Sequence, residues 1–155
     1  PDSRIRRAVG VRMNYKTGKE SALNVGLRYY WDSWEVNSLT TSVLFQQRLG
    51  AVITIGVGIR NYLQSRAFFF KDRYAAPERF MTVDTKLDES FSNDYQLKLS
   101  LNGGRLRGVP LLSDENLQLN IQLDFYQRHS ATPDWHSRYK DLYAYIFSFG
   151  VRYRF

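Results

Sequence analysis

Apolar and polar residues alternate along almost the whole chain. Near its end the odd positions read Tyr143, Tyr145, Phe147, Phe149, Val151, Tyr153 and Phe155, separated by Ala144, Ile146, Ser148, Gly150, Arg152 and Arg154. Leu117, Leu119, Ile121, Leu123 and Phe125 alternate with Gln118, Asn120, Gln122 and Asp124. Tyr95, Leu97, Leu99 and Leu101 alternate with Gln96, Lys98 and Ser100. The same period runs through 51–60, through 22–31, through 8–15 and, more weakly, through 39–45. A period of two sends successive side chains to opposite faces of a strand. The pattern predicts about seven strands of roughly nine to thirteen residues, each with one apolar and one small or polar face.

Strand length decides what those faces meet. Strands of water-soluble sandwiches average about five or six residues, whereas roughly nine to eleven cross a bilayer at a tilt. No apolar run approaches the roughly eighteen residues of a spanning helix, which excludes a transmembrane helix. The expected fold is therefore all-β, a transmembrane antiparallel up-and-down β-barrel with odd side chains toward lipid and even side chains toward the interior. Residues 1–155 read as the C-terminal part of a single such domain. Bacterial barrels have even strand numbers of about eight or more, so further strands are expected upstream. The opening "PDSRIRRAVG" has charge but no apolar core or cleavage site; it reads as a turn entering a strand, not as a signal peptide.

The connections give a second test. With the C-terminus on the periplasmic side, the inner connections are 16–20, 47–51 and 102–116, and the outer ones are 32–36, 64–94 and 127–141. Short inner turns and long outer loops are the rule for such barrels. Four of these six comply; 102–116 is long for an inner turn and 32–36 is short for an outer loop. Tyr29, Trp31, Tyr95, Phe125 and Tyr143 fall near the outer interface, and Tyr15, Phe45, Tyr153 and Phe155 near the inner one, where amphipathic rings sit at headgroup depth. "WDSW" at 31–34 reads as a girdle hairpin.

Composition narrows the classes. Aromatic residues make up 15% of the chain and there is no cysteine, which removes disulfides, thiolate catalysis and zinc–thiolate sites. The formal net charge of +7 would ordinarily suggest a nucleic-acid partner. The strand-borne cations argue otherwise, because Arg4, Arg6, Arg12, Arg28, Arg60, Lys98, Arg152 and Arg154 are all even-numbered and Arg7 is the exception. Charge on the lipid face costs about 2–4 kcal/mol near the midplane, so this partition is what a barrel requires. Arg12, Arg28, Arg60, Lys98, Arg152 and Arg154 are candidates for an anion pathway. The alternative is pairing with carboxylates on other strands or with lipopolysaccharide phosphates at the rims.

The final stretch "SFGVRYRF" resembles the C-terminal β-signal of Gram-negative outer-membrane proteins, with Ser148, Gly150, Tyr153 and Phe155 in the characteristic places. The resemblance implies that the barrel-assembly machinery reads this strand by pairing with its edge. The segments "PDSRIRRAVGVRMNY", "LNVGLRYYWDSWEVNSLT" and "GVGIRNYLQSRAFFF" resemble an uncharacterised family of proteobacterial outer-membrane β-barrels, classed as a domain of unknown function. That resemblance implies a longer chain and an outer-membrane location, and brings no catalytic motif.

Three functions remain as expectations. The first is a non-enzymatic, porin-like channel with a basic lumen, in contact with outer-membrane lipid and lipopolysaccharide. The second is a scaffold or anchor that docks a protein partner through loops 64–94 and 127–141. In "SRAFFFKDRYAAPERF", Phe68, Phe69 and Phe70 would form an exposed apolar patch beside Lys71 and Arg73. Packing on the rim, insertion into the lumen as a plug and contact with lipid are the other options for this segment. The third is an outer-membrane hydrolase built from His129, His136, Ser130, Asp134, Ser137 and Asp141, but no motif fixes their geometry. Neither a metal-site spacing nor a cofactor motif is present.

Overall fold

A computed structural model describes residues 3–104, 114–132 and 140–154. These residues form seven long strands: β1 (Arg6–Lys16), β2 (Ser21–Asp32), β3 (Asn37–Leu49), β4 (Ile53–Gln64), β5 (Ser90–Asn102), β6 (Leu117–Ser130) and β7 (Asp141–Tyr153). They lie side by side in sequence order in one antiparallel sheet. Each strand thus pairs with its chain neighbours, and the turns alternate between two ends. At one end are 17–20, 50–52 and 103–116; at the other are 33–36, 65–89 and 131–140.

The alternation read from sequence marks these strands, but several run further than it does: β3 spans Asn37–Leu49 and β6 continues to Ser130, so the connection expected at 127–141 is 131–140. β4 begins at Ile53 and runs on to Gln64, and β5 begins at Ser90, not near Tyr95. Among the added pairs, Asn61↔Asn93 puts polar residues on the odd face before Leu63↔Phe91 makes it apolar again, so the alternation breaks at Asn61 and Asn93 and periodicity stopped there. The long connection is therefore 65–89.

Register keeps the faces pure. Odd residues pair with odd and even with even at every interface, from Val11↔Leu27 and Val25↔Val43 to Leu97↔Leu123 and Leu123↔Phe147. A slip of one residue at any pair would have sent one strand's apolar set to the wrong face. The odd face is bare: Val9, Val11, Leu27, Val57, Leu97, Leu123, Phe147 and Val151 are all exposed, Phe147 by 66%. No second sheet covers it among the described residues. The edge strands β1 and β7 are exposed along almost their whole length, and the described sheet does not close on itself.

Among the described residues, the larger packed core lies beyond the sheet, at the end that carries 33–36 and 65–89. Val36, Ala67, Phe69 and Phe70 are buried there, with Tyr30, Trp34, Phe80 and Leu87 packed around them. A smaller cluster joins Leu117 and Leu119 to Leu101.

Candidate functional site

The even face is where chemistry collects. Arg12, Arg28, Arg60 and Lys98, from β1, β2, β4 and β5, line one cleft of about 1050 Å³ together with Asn14, Asn24, Thr40, Ser42 and Gln96. For one cleft to reach from β1 to β5, the sheet must curl with its even side inward. Three of these cations lie directly across from a glycine: Arg12↔Gly26, Arg28↔Gly10 and Gly56↔Lys98. The missing side chains give the long basic stems a floor. A Cβ at Gly26 would stand 3.9 Å from Arg12 Cγ and 2.6 Å from Ser42 Oγ, and one at Gly56 would stand 3.3 Å from Lys98 Cβ.

Two acids of this face, Asp94 and Asp124, are held by amides and not by the cations of the cleft. Asp94 is the cross-strand partner of Arg60, yet its Oδ2 accepts from Gln96 Nε2 at 2.7 Å, and its buried Oδ1 has no partner. Asp124 accepts from Gln122 Nε2 at 2.8 Å on both oxygens. Among the described residues, Arg12, Arg28, Arg60 and Lys98 make no ion pair and no side-chain hydrogen bond. The structure thus gathers four of the six pathway candidates. Arg152 pairs across to Gln118 on β6, and Arg154 follows the end of β7; neither lines the cleft.

A cap sits over the end of the same face that carries 33–36 and 65–89. Asp32 organises the 33–36 turn by accepting from Trp34 N at 2.9 Å and Val36 N at 3.1 Å through Oδ1, while Oδ2 accepts from Tyr30 Oη at 2.6 Å and from Arg4 Nε at 2.7 Å. Glu35 takes the left-handed conformation (φ 63°) that closes this turn. The 65–89 connection is tied down from three sides. Phe68 N donates to Trp34 O, Gln64 Nε2 donates to Lys86 O and Asp88 O, and Arg128 reaches Thr85 O. Even-register Ser38, Ser90, Ser92 and Ser130 are buried beneath it.

Asp88 is the buried joint of the cap. Its carboxylate accepts from Glu89 N at 2.7 Å and Thr132 Oγ1 at 3.4 Å, and faces Arg66 at 3.5 Å. Thr132 in turn meets Ser130 Oγ at 2.8 Å. Burial pushes the Asp88 carboxyl above the ordinary carboxylate range, and Asp72 adds to the rise; the Glu89 amide, Arg66 and Thr132 pull it down without cancelling it.

The expected exposed triplet 68–70 is corrected by this packing. Phe69 and Phe70 are buried because 65–89 folds back onto Trp34 and Val36, and Phe68 alone remains half-exposed at 47%. Trp34 is likewise drawn from the girdle into the cap, edge-on to Phe69 at 5.2 Å and beneath Arg4 at 4.3 Å. Trp31 stays on the odd face, stacked on Tyr29 at 5.6 Å, and a row of rings continues through Tyr95, Phe125 and Tyr143. Lys71 pairs with Glu78, and Arg73 is exposed on the same loop.

The candidate hydrolytic set is divided between faces. His129 Nδ1 meets Asp141 Oδ1 at 2.7 Å on the odd face, while Ser130 is fully buried on the even face under the cap. They form no nucleophile–base pair. Asp134, His136 and Ser137 lie outside the described residues, as does Phe155 of the assembly signal. Ser148, Gly150 and Tyr153 lie on the edge strand β7, opposite Gln122, Asn120 and Leu117. Among the described residues there is no His/Asp/Glu group able to hold a metal, and no helix long and apolar enough to cross a membrane.

Sequence reasoning missed the glycine floor and the amide-held acids. The glycines were visible as even positions, but which cation each one faces depends on register.

Fold and site together define an all-β protein: one up-and-down antiparallel sheet, apolar on one face, basic on the other and capped at one end. Residues 1–142 match the family described as protein of unknown function (DUF3570), and the chain belongs to that family. No curated protein and no solved structure matches it.

Proposed function

We propose that the chain forms part of a Gram-negative outer-membrane β-barrel that passes anionic solutes along its even face, without enzymatic activity. One observation carries this reading: four cations with no carboxylate partner among the described residues share a cleft behind a sheet whose other face is a bare, largely apolar surface. Water-soluble monomers rarely expose apolar patches larger than a few hundred Å². An odd face bare from Val9 on β1 to Val151 on β7 calls for lipid. Arg and Lys lining a pore favour anions.

Closure follows from direction. In an up-and-down sheet of seven, β1 and β7 run the same way, so direct pairing of these edges would be parallel. An odd number of further strands restores antiparallel pairing throughout and removes edges that lipid cannot satisfy. The cap then narrows the outer mouth. On this reading β7 is the strand offered to the barrel-assembly machinery, and lipopolysaccharide phosphates meet the outer rim.

The test is conductance of the full-length protein in planar bilayers under a salt gradient. A reversal potential displaced toward the anion, reduced when Arg28 and Arg60 are changed to Gln, supports the reading. Absence of any conductance removes it.

A second reading, a scaffold that docks a partner at its outer surface, draws on the cap alone. Phe68, Met81 and Val83 are exposed there by 47%, 50% and 53%. Substituting all three with Ser should abolish partner capture under this reading and leave conductance unchanged under the first.

A further inference from the structure

The cleft offers a ligand more than positive charge. Asn24 Nδ2 is engaged with Gln46 Oε1 at 3.2 Å and Leu44 O at 3.4 Å, and Gln96 Nε2 with Asp94. Both N–H groups of Asn24 are thus taken, and one of the two on Gln96, so these amides leave a ligand their carbonyl oxygens and a single Gln96 N–H. Thr40 and Ser42 add hydroxyls to the same lining. Amide acceptors beside a bare anion are repulsive; beside a hydroxylated anion they take its O–H donors.

Three of the four cations are arginines, whose planar fork meets phosphate through two parallel hydrogen bonds, where a lysine acts as a point charge. At about 1050 Å³ the cleft is at the upper end of small-molecule sites and far larger than an inorganic ion requires. The stems of Arg12 and Arg28 lie over Gly26 and Gly10, which put no side chain of their own into the cleft. Asp124 is held on both oxygens by Gln122 and Asp94 on one by Gln96, and neither pairs with a guanidinium of the cleft.

We propose that this cleft is a binding site for a phosphorylated sugar. Arg12, Arg28 and Arg60 take the phosphate, and Asn24 and Gln96 accept from the sugar hydroxyls. Lys98 adds long-range attraction. The inference rests on the even face enclosing the interior of the channel proposed above.

The experiment titrates the full-length protein in detergent with glucose 6-phosphate, inorganic phosphate and glucose, followed by calorimetry. Glucose 6-phosphate should bind about tenfold or more tightly than either other probe, as expected for added hydrogen bonds between charged or polar groups. Arg28→Gln and Arg60→Gln should each weaken it by about tenfold or more. Gln96→Met should reduce the preference over inorganic phosphate while leaving inorganic phosphate binding in place. Arg7→Gln, on the opposite face, should change nothing, and heat-modifiable gel mobility reports folding of each variant. Equal affinity for inorganic phosphate and glucose 6-phosphate overturns the sugar-phosphate assignment and leaves an anion channel standing. Anion-selective conductance with no binding of either ligand overturns the site altogether. Binding of glucose 6-phosphate without conductance upholds the site and removes the channel.

Discussion

Gly26 shows how little room the even face has beyond what its cations use. A side chain there would meet Ser42 Oγ at 2.6 Å and crowd Arg12, so Gly26→Val should displace the Arg12 stem and strain β3. The expected outcome is loss of anion preference together with a lower midpoint of urea unfolding. An unchanged reversal potential would show that the arginine needs no floor. Gly50 offers a contrast, since its left-handed backbone (φ 65°) serves the tight turn between β3 and β4 and its missing Cβ faces open space. Burial raises the folded-state affinity of Asp88 for a proton, so the opened loop deprotonates first as pH rises. Between the ordinary carboxylate value of about 3.9 and the raised folded value, the opened form binds fewer protons and the closed cap loses stability. Hydrogen exchange in 65–89, corrected for intrinsic rates, should show better protection below about pH 4 than at neutrality. Asp88→Asn should flatten that dependence. Protection that instead grows with pH would mean that Arg66 outweighs burial.

Each strand separates two solvents, which makes substitution parity a test of the sheet. Lysine at Leu97, exposed on the odd face, should cost about 2–4 kcal/mol of folding stability in a bilayer near its midplane. Lysine at the neighbouring Gln96 should cost little, because that position faces the cleft. Refolding into lipid vesicles at graded urea measures both, and equal costs would exclude a lipid-facing odd face. The cap is an element of a different kind, held by a small core of its own. Phe69→Ala removes its central ring, and buried Phe→Ala changes cost about 3–5 kcal/mol. That exceeds what a loop with so few buried residues can lose, so 65–89 should become protease-sensitive while β1 to β7 stay intact. Coincident loss of cap and sheet would show them to be one cooperative unit.

Taken as a body, the described sheet pairs an apolar face with a basic one, and a cap covers one of its ends. Deleting residues 68–83 and joining the ends with a short Gly/Ser linker should raise single-channel conductance without changing ion preference, because Arg12, Arg28, Arg60 and Lys98 lie below the cap. Unchanged conductance would place the constriction elsewhere, and changed preference would give the cap a part in selection. The four cations also repel one another across the cleft. Low ionic strength should therefore increase anion preference, and high salt should erase it as screening shortens to a few ångströms.

The alternation of side chains by itself determined which residues share a face, because a strand has only two faces and its period is fixed. Leu97, Leu123 and Phe147 could be assigned to one side and Arg12, Arg28 and Arg60 to the other with no knowledge of partners. The strand count and the up-and-down order were legible for the same reason: each run was long, amphipathic and bounded by turn residues. Three matters required tertiary structure. Register decided that Arg12 faces Gly26 and that Asp94 lies across from Arg60, and side-chain packing then gave Asp94 to Gln96 on its own strand; single-chain periodicity is blind to which residue lies across the gap. Curl decided that cations on four different strands line one cleft while Arg152 and Arg154 stay outside it. The fold-back of 65–89 decided that Phe69, Phe70 and Trp34 are core, since a loop has no period and its burial is set by contacts distant in sequence.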